Sequence, residues 1–583
     1  MFGANDVMMI TIDDLPEQAD ISAHAPKHRL DRQHRKLWES VATLGTWLIG
    51  ALFFFSAQWT SGFDRLFGNV GDTRLQVYLS EQWFLVLRGA QPWRDPPFFY
   101  PVKGVLGYTD TMFLYQIFFA PLRLLRAEPF LAFQLTIVAM SLMGFICFVL
   151  LVRKLFRPPL ILALVGALVF TFANSLWVHP GSSQLFGIYF APPIALVALG
   201  AWRSRQSRPS LSVALGVVFG LLSSLFLFST YYVAWFSILA GVTIFIFCFV
   251  FAPRMMTSEV MHAMLTGWRV ILAGVVGFVV GIVPFLLTYV PVVRDLGSRK
   301  YGDALFYAPK WNDVINVGVG NLLWGHLIHN SWSAPSPASY EVSYAITPIL
   351  MLTVVVGALA ILWALLMRAT PFTTSLRVAL ALCCTTILFT LLPINTQIGS
   401  LWVAVWHLPG ADAIRAIDRV QVTNSLLTAL ALVALGTEAL RHWRRLQTST
   451  TLRVVGVIFL GVILAEQLNT TSASQMRRSA QVALLSAVPP VPAGCTSFFV
   501  DDSVRSLRFY VYQTSAMMIS QRVDLPTVNG YSGDNPPGWN LEQPGLPGYL
   551  AYVKQWTAAH GLTTGVCEYD LGTDKWHTQP PGL

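Results

Sequence analysis

Two acids and a base stand within ten positions in GNVGDTRLQVYLSEQW, residues 68–83: Asp72, Arg74 and Glu81. Only 12% of the 583 residues are charged, so each charge in a loop is a candidate for chemistry. A carboxylate shielded from bulk water can take a proton from an attacking hydroxyl or amine. Asp72 equally suits a cap for a helix that begins near Thr73, or an ion-pair scheme in which Asp72 or Glu81 meets Arg74 or Arg88. Asp110, in GYTD, is a second loop acid or a cap for a helix at 111. Arg415 and Arg419 are four apart, hence on one face if that segment is helical, just ahead of the apolar run from Val420. An Arg fork matches phosphate oxygens. The same pair also suits interfacial anchoring, or bridges to Asp412 and Asp418. His179, in WVHPGSSQ, is a phosphate or sugar ligand or a structural histidine. Tyr231 and Tyr232 read as interface-belt aromatics. His326 and His329 have a metal-ligand spacing but no evident third ligand.

The elements that position these residues are membrane spans. Apolar runs of about 20 residues, enough to cross a bilayer core of about 30 Å, recur near 42–60, 130–152, 159–178, 183–201, 209–229, 231–252, 270–292, 343–367, 377–395, 420–440 and 452–470. The run TMFLYQIFFAPLRLL at 111–125 is shorter and contains Pro121. Charge decides its place. If it does not cross, the basic tail (Lys27, Arg29, Arg32, Arg35, Lys36) and the basic turns at Arg153/Lys154/Arg157, Arg203/Arg205/Arg208 and Arg441/Arg444/Arg445 share one side. The weaker turns at Arg254/Arg269 and Arg368/Arg377 join them. Bases held on the cytoplasmic side are the usual pattern. The expectation is therefore eleven spans, N-terminus inside and C-terminus outside, with 111–125 as a helix at the outer interface. Residues 1–40 carry no apolar stretch of signal-peptide type, so the first span is the targeting signal. The net charge of +9 follows this loop pattern and forms no basic, aromatic-interleaved face, which argues against nucleic acid as a partner.

The expected organisation is a cytoplasmic tail, 1–41, then a membrane domain, 42–470, with external loops 61–129, 293–342 and 396–419, then an external domain, 471–583. In that last part CTSFFVDD and GVCEYDLG read as strands, LRFYVYQTSAMMISQR as a helix, and NGYSGDNPPGWN as a loop. Cys147, Cys248, Cys383 and Cys384 lie in apolar runs and read as buried thiols. Cys495 and Cys567 lie in the tail; outside the cell they can form a disulfide joining the two strands, the alternative being two unrelated thiols.

GDTRLQVYLSEQWFLVLRG, PPFFYPVKGVLGYTD and FAPLRLL together resemble the first external loop of a bacterial membrane family that looks like the GT-C class of glycosyltransferases. PGADAIRAIDRVQV at 409–422 is similar to that family's late Arg-x-x-x-Arg segment, and PTVNGYSGDNPPGW at 526–539 to a segment of its C-terminal domain. The resemblance implies a GT-C-like helical fold with a small α/β periplasmic domain, in a bacterial inner membrane. It implies a donor sugar on a polyprenyl phosphate and a glycan, lipid or protein acceptor. Asp72 matches the reaction-centre acid and Asp110 the second acidic position of that loop; members often carry an acidic pair where this chain has Gly71-Asp72. The expected reaction is a single inverting displacement, with Asp72 as base and Arg415 and Arg419 on the lipid phosphate. Arg74, Glu81, Asp110 and His179 are the expected substrate contacts. No protein-bound metal set is expected, and the one cofactor the class suggests is a divalent cation, Mg or Mn. No Walker or Rossmann glycine motif is present, as suits a lipid-activated donor. The competing expectations are a transporter or flippase for a lipid-linked saccharide, and a non-catalytic assembly protein whose tail binds envelope glycans. Transporters place ionisable groups in mid-span, whereas Glu438 and Glu466 lie near span ends.

Overall fold

A computed structural model describes residues 25–179, 181–332, 346–367, 372–442, 449–470, 476–503, 507–544 and 546–578, with 25–33 and 329–332 described by backbone alone. Arg368, Arg444, Arg445 and the side chains of Lys27, Arg29, Arg32 and His329 lie outside these. The chain divides into Met1–Gly45 and Thr46–Leu583. The first unit contains the start of the Ala25–Phe54 helix and an exposed Arg35–Glu39 ion pair at 3.3 Å.

The protein is a multi-pass α-helical membrane protein with a small α/β C-terminal part. Among the described residues ten helices are long and apolar enough to cross a membrane: His34–Phe54, Pro129–Leu155, Leu160–Val178, Ser183–Arg203, Pro209–Ser229, Tyr231–Phe251, Pro253–Gly281, Pro348–Leu366, Thr374–Leu391 and Ile417–His442. Two apolar helices are shorter, Phe113–Leu124 and Thr450–Ala465. The second lies where the eleventh span was expected, at 452–470, and is shorter than the ten. The first carries the 111–125 run; its 12 residues rise about 18 Å, too little to cross.

One expected span is placed differently. The run 270–292 is not one helix: a helix runs from Pro253 to Gly281, and a second, Val283–Leu296, starts with Pro284 in its first turn. Proline lacks the N–H that would continue the first helix. Arg254 and Arg269 are therefore helical, not in a turn; the Met-rich stretch between them, free of proline, is compatible with helix. This helix lies close against Pro209–Ser229 through small residues, since a Cβ on Gly216 would stand 2.9 Å from the Val270 carbonyl oxygen.

The tail builds a three-stranded sheet. Ser497–Asp501 pairs in parallel with Val566–Asp570, and Lys575–His577 adds an antiparallel edge. Phe509–Val523 and Tyr549–Ala559 are helices of the connection between the parallel strands. Cys495 and Cys567 form a disulfide across 72 residues, Cα to Cα 5.7 Å. Cys147, Cys248, Cys383 and Cys384 are free thiols, buried or half-buried, as their apolar runs require.

The tail is fastened to the first loop by backbone. Phe99 and Tyr100 N–H groups donate to the Asn529 and Thr527 carbonyls, each at 2.9 Å, and Thr527 N–H donates to Pro97 O at 3.0 Å. Val528 N–H in turn donates to Phe498 O at 2.9 Å, so backbone hydrogen bonds link the FFYP segment through 527–529 to the first strand of the tail. A second link pairs Arg65 with Arg477 and Leu66 with Met476. Between these links lies the Asp72–Leu87 helix, which the tail helix Phe509–Val523 covers through bonds such as Gln521 to Tyr78 O, 2.9 Å.

Candidate active site

Asp72 begins that helix. Gly71 is the N-cap and Asp72 the first helical residue, so the carboxylate sits at the positive end of the helix and does not cap it. The turn before it needs a glycine: Gly68 has φ +119°, and a Cβ there would collide with the Thr73 hydroxyl, which accepts from Asn69 N–H at 3.0 Å.

Asp72 opens onto a cavity of about 670 Å³, within the usual range for small-ligand sites. Asp110, Arg415 and Arg419 line the same cavity. Asp110 does not cap a helix at 111. Its Oδ1 accepts from the Tyr231 N–H at 2.8 Å, at the start of the Tyr231–Phe251 span, 121 residues on. Burial pushes its carboxyl up to about 6, against the opposing pull of the Tyr231 N–H and the Arg419 charge.

Arg415 and Arg419 reach the cavity without the expected helical face. Ala411–Ala413 and Ile417–Arg419 are single 3-10 turns, and Ile414 between them is extended. The Tyr232 hydroxyl accepts from the Arg415 N–H at 2.8 Å. The Arg415 guanidinium lies 5.2 Å from the centre of the Tyr307 ring, and that of Arg419 5.9 Å from the Tyr232 ring. Such contacts hold the flat cations in place.

Three other expected contacts are absent from the cavity lining. Arg74 is buried, donating to Gln481 at 2.7 Å and Ser515 at 3.0 Å in the tail. Glu81 takes a two-pronged bond from Arg123, at 2.6 and 2.8 Å, which ties the Asp72–Leu87 helix to the 116–124 helix. His179 is buried against Asp418, Nε2 to Oδ2 3.4 Å, with Nδ1 3.0 Å from Ser175 O. It stands behind the arginine segment. A loop charge read from sequence carries no sign of whether its partner will be protein or substrate; here the fold supplies protein partners.

The structure also brings in residues that spacing did not single out. Tyr108, Tyr231, Tyr232, Phe285, Tyr289 and Tyr531 put rings around the cavity. Tyr231 and Tyr232 are thus cavity walls, their hydroxyls donating to the carbonyls of Gly410 (2.8 Å) and Ala413 (3.4 Å). The Tyr531 hydroxyl, from the tail's NGYSG stretch, donates to Asp72 Oδ1 at 2.6 Å. Arg299 pairs with Asp534 at the same rim. Burial raises the Asp534 carboxyl, while Arg299 and Arg415 oppose the rise. The signal for Tyr531 was the motif itself, which carried a resemblance but no role.

Among the described residues no group of three or more His, Cys, Asp or Glu could hold a metal ion. The cavity carboxylates of Asp72, Asp110, Asp303, Asp412 and Asp534 therefore do not form a ready cation set.

No family model matches the chain, and no curated protein matches it. Among solved structures it is similar to the Archaeoglobus fulgidus oligosaccharyltransferase. The apo form shares 12% identity over 90% of this chain and 69% of that one, with a TM-score of 0.47. The complex with Zn and sulfate shares 13% over 84% and 62%, at 0.46. The form tethered by a disulfide to an acceptor peptide containing the NVT sequon shares 13% over 89% and 68%, at 0.47.

Proposed function

We propose that this protein is a membrane glycosyltransferase that moves a sugar from a polyprenyl phosphate to an envelope acceptor, at the outer face of a bacterial inner membrane. The observation that carries the reading is that Asp72, Arg415 and Arg419, drawn from an early loop and a late one, line one cavity. Arg294, Arg299 and four further aspartates also line this space, and with Asp72 as base and Arg415 and Arg419 as the phosphate cations it suits one reaction. Asp72 takes the proton of an acceptor hydroxyl or amine as that atom bonds to the anomeric carbon. The bond from that carbon to the phosphate oxygen breaks, and its electron pair leaves with the phosphate. Arg415 and Arg419 hold the departing charge. One displacement inverts the anomeric centre. The surrounding rings suit a sugar, whose C–H faces pack on aromatics while its hydroxyls need the few polar groups between them.

The parity of crossings supports the sidedness. The first loop follows one span, Tyr231 follows five, Arg299 seven and Arg415 nine, and all line one cavity. The tail, through Tyr531, lines it too, which requires an odd number of crossings before it. The ten long helices supply an even number, and Thr450–Ala465 is the apolar helix that supplies the eleventh. The charge pattern puts this shared side outside.

The cavity draws on loops and span ends. Transport would need ionisable groups along mid-span, so the placement favours chemistry over passage. The test is glycan mass spectrometry on cells whose only copy is Asp72→Asn at normal abundance. The reading expects the envelope sugar missing from a deletion strain to be missing here too; an intact glycan would reject the enzyme in favour of an assembly protein.

A further inference from the structure

We infer that Tyr531 is a positioning residue for Asp72, which makes the C-terminal domain part of the reaction centre. The inference rests on the functional reading above, in which Asp72 is the base. The Tyr531 hydroxyl donates to Asp72 Oδ1 at 2.6 Å, a length typical of a hydrogen bond to a charged acceptor. Both side chains are half-buried and both line the cavity. With one oxygen pinned by a phenol, the carboxylate plane cannot turn freely about its Cβ–Cγ bond. Burial and the Asp72 charge push the phenol well above its ordinary range, so it stays protonated and remains the donor.

The phenol is itself held at both ends of a strap, residues 529–534. At the tail end, the Asn529 side chain accepts from Val500 N–H at 2.8 Å and donates to Gln513 and Tyr549, both at 3.0 Å. Gly530 lies under Phe99, where a Cβ would come within 2.5 Å of the ring. At the cavity end, Gly533 N–H donates to Tyr108 O at 3.1 Å, and Asp534 pairs with Arg299. The strap therefore runs from the core of the tail to the rim of the cavity, with Tyr531 between its anchors. A hydroxyl held only for packing would need no such double anchoring beside the base.

The experiment uses the full chain in lipid nanodiscs with undecaprenyl-phosphate-linked glucose, mannose and N-acetylglucosamine as donor probes. Release of undecaprenyl phosphate is followed against pH. Tyr531→Phe is expected to lower kcat about tenfold, the worth of one hydrogen bond to a charge, with the donor KM unchanged within about twofold. The acid limb of its rate profile moves to higher pH, because the carboxylate has lost a donor that favours its charged form. Fluorotyrosine at 531, a stronger donor of the same shape, moves that limb to lower pH. Adding Y531F to D72N costs nothing further. A Y531F protein with unchanged kcat and pH profile overturns the positioning role while leaving the base assignment intact. A changed KM at constant kcat overturns it as well. Retained turnover in D72N alone overturns the functional reading instead.

Discussion

Arg415 and Arg419 meet the cavity from irregular backbone, each stacked on a tyrosine. If they hold a leaving phosphate, truncating either raises the donor KM and lowers kcat, each about tenfold, and Lys restores less than half of the loss because it lacks the fork. Donor titrations of R415A, R419A and the Lys variants measure this. Asp110 gives a pH prediction. Its carboxyl is raised to about 6 in the fold, so the fold favours its neutral form. That contribution is complete below the unfolded value near 4 and is lost as pH rises through about 6. Asp110→Asn should therefore match the wild type in thermal stability near pH 4 and exceed it near pH 7, read by melting in nanodiscs. Glu81 belongs to stability: E81Q breaks a two-pronged bond to Arg123 and should cost about 2 kcal/mol with the donor KM unchanged. At this scale four of the charges singled out in the sequence, Asp72, Asp110, Arg415 and Arg419, line the cavity, but Arg294, Arg299, Asp303 and Asp534, which line it too, were not singled out. Sequence could not separate the first four from Arg74, Glu81 and His179, because the difference lies in what packs beside each one. Nor did it find Tyr531, since one tyrosine among 18 carries no mark of its partner.

The elements were more legible than their joints. Apolar runs of about 20 residues marked the long helices, with 270–292 misplaced against Pro253–Gly281, and alternating, β-branched and aromatic content marked both parallel strands of the tail. What the runs missed was the break at Ile282, where a single proline decides, and the hydrogen bonds between 97–100 and 527–529, which are made by backbone groups that every sequence possesses. That junction has a weak point. Gly530 sits against the Phe99 ring with no room for a Cβ, so Gly530→Val should separate the FFYP segment from the tail. The expected outcome is loss of hydrogen-exchange protection at Phe99 and Tyr100, with the long spans still protected.

At the scale of the molecule, the first loop and the tail act as one unit, though more than 400 residues separate Asp72 from Tyr531. The Cys495–Cys567 disulfide closes a 72-residue loop in that unit, worth about 4 kcal/mol by loop entropy. Reduction, or C495A with C567A, should lower the melting point of the tail before that of the spans. The charge pattern and the shared cavity side also predict opposite faces for the two ends of the chain: a fluorescent protein fused at the N-terminus should mature inside the cell, and an alkaline phosphatase fused after Leu583 should be active outside. The convergence of Asp72, Arg415 and Arg419 on one donor phosphate is open to a cryo-EM structure of the full chain in nanodiscs with undecaprenyl phosphate. The phosphate is expected within hydrogen-bond reach of Arg415 and Arg419, its free oxygens turned toward the Asp72 side of the cavity; a phosphate bound elsewhere on the protein, with this cavity empty, would rule that convergence out.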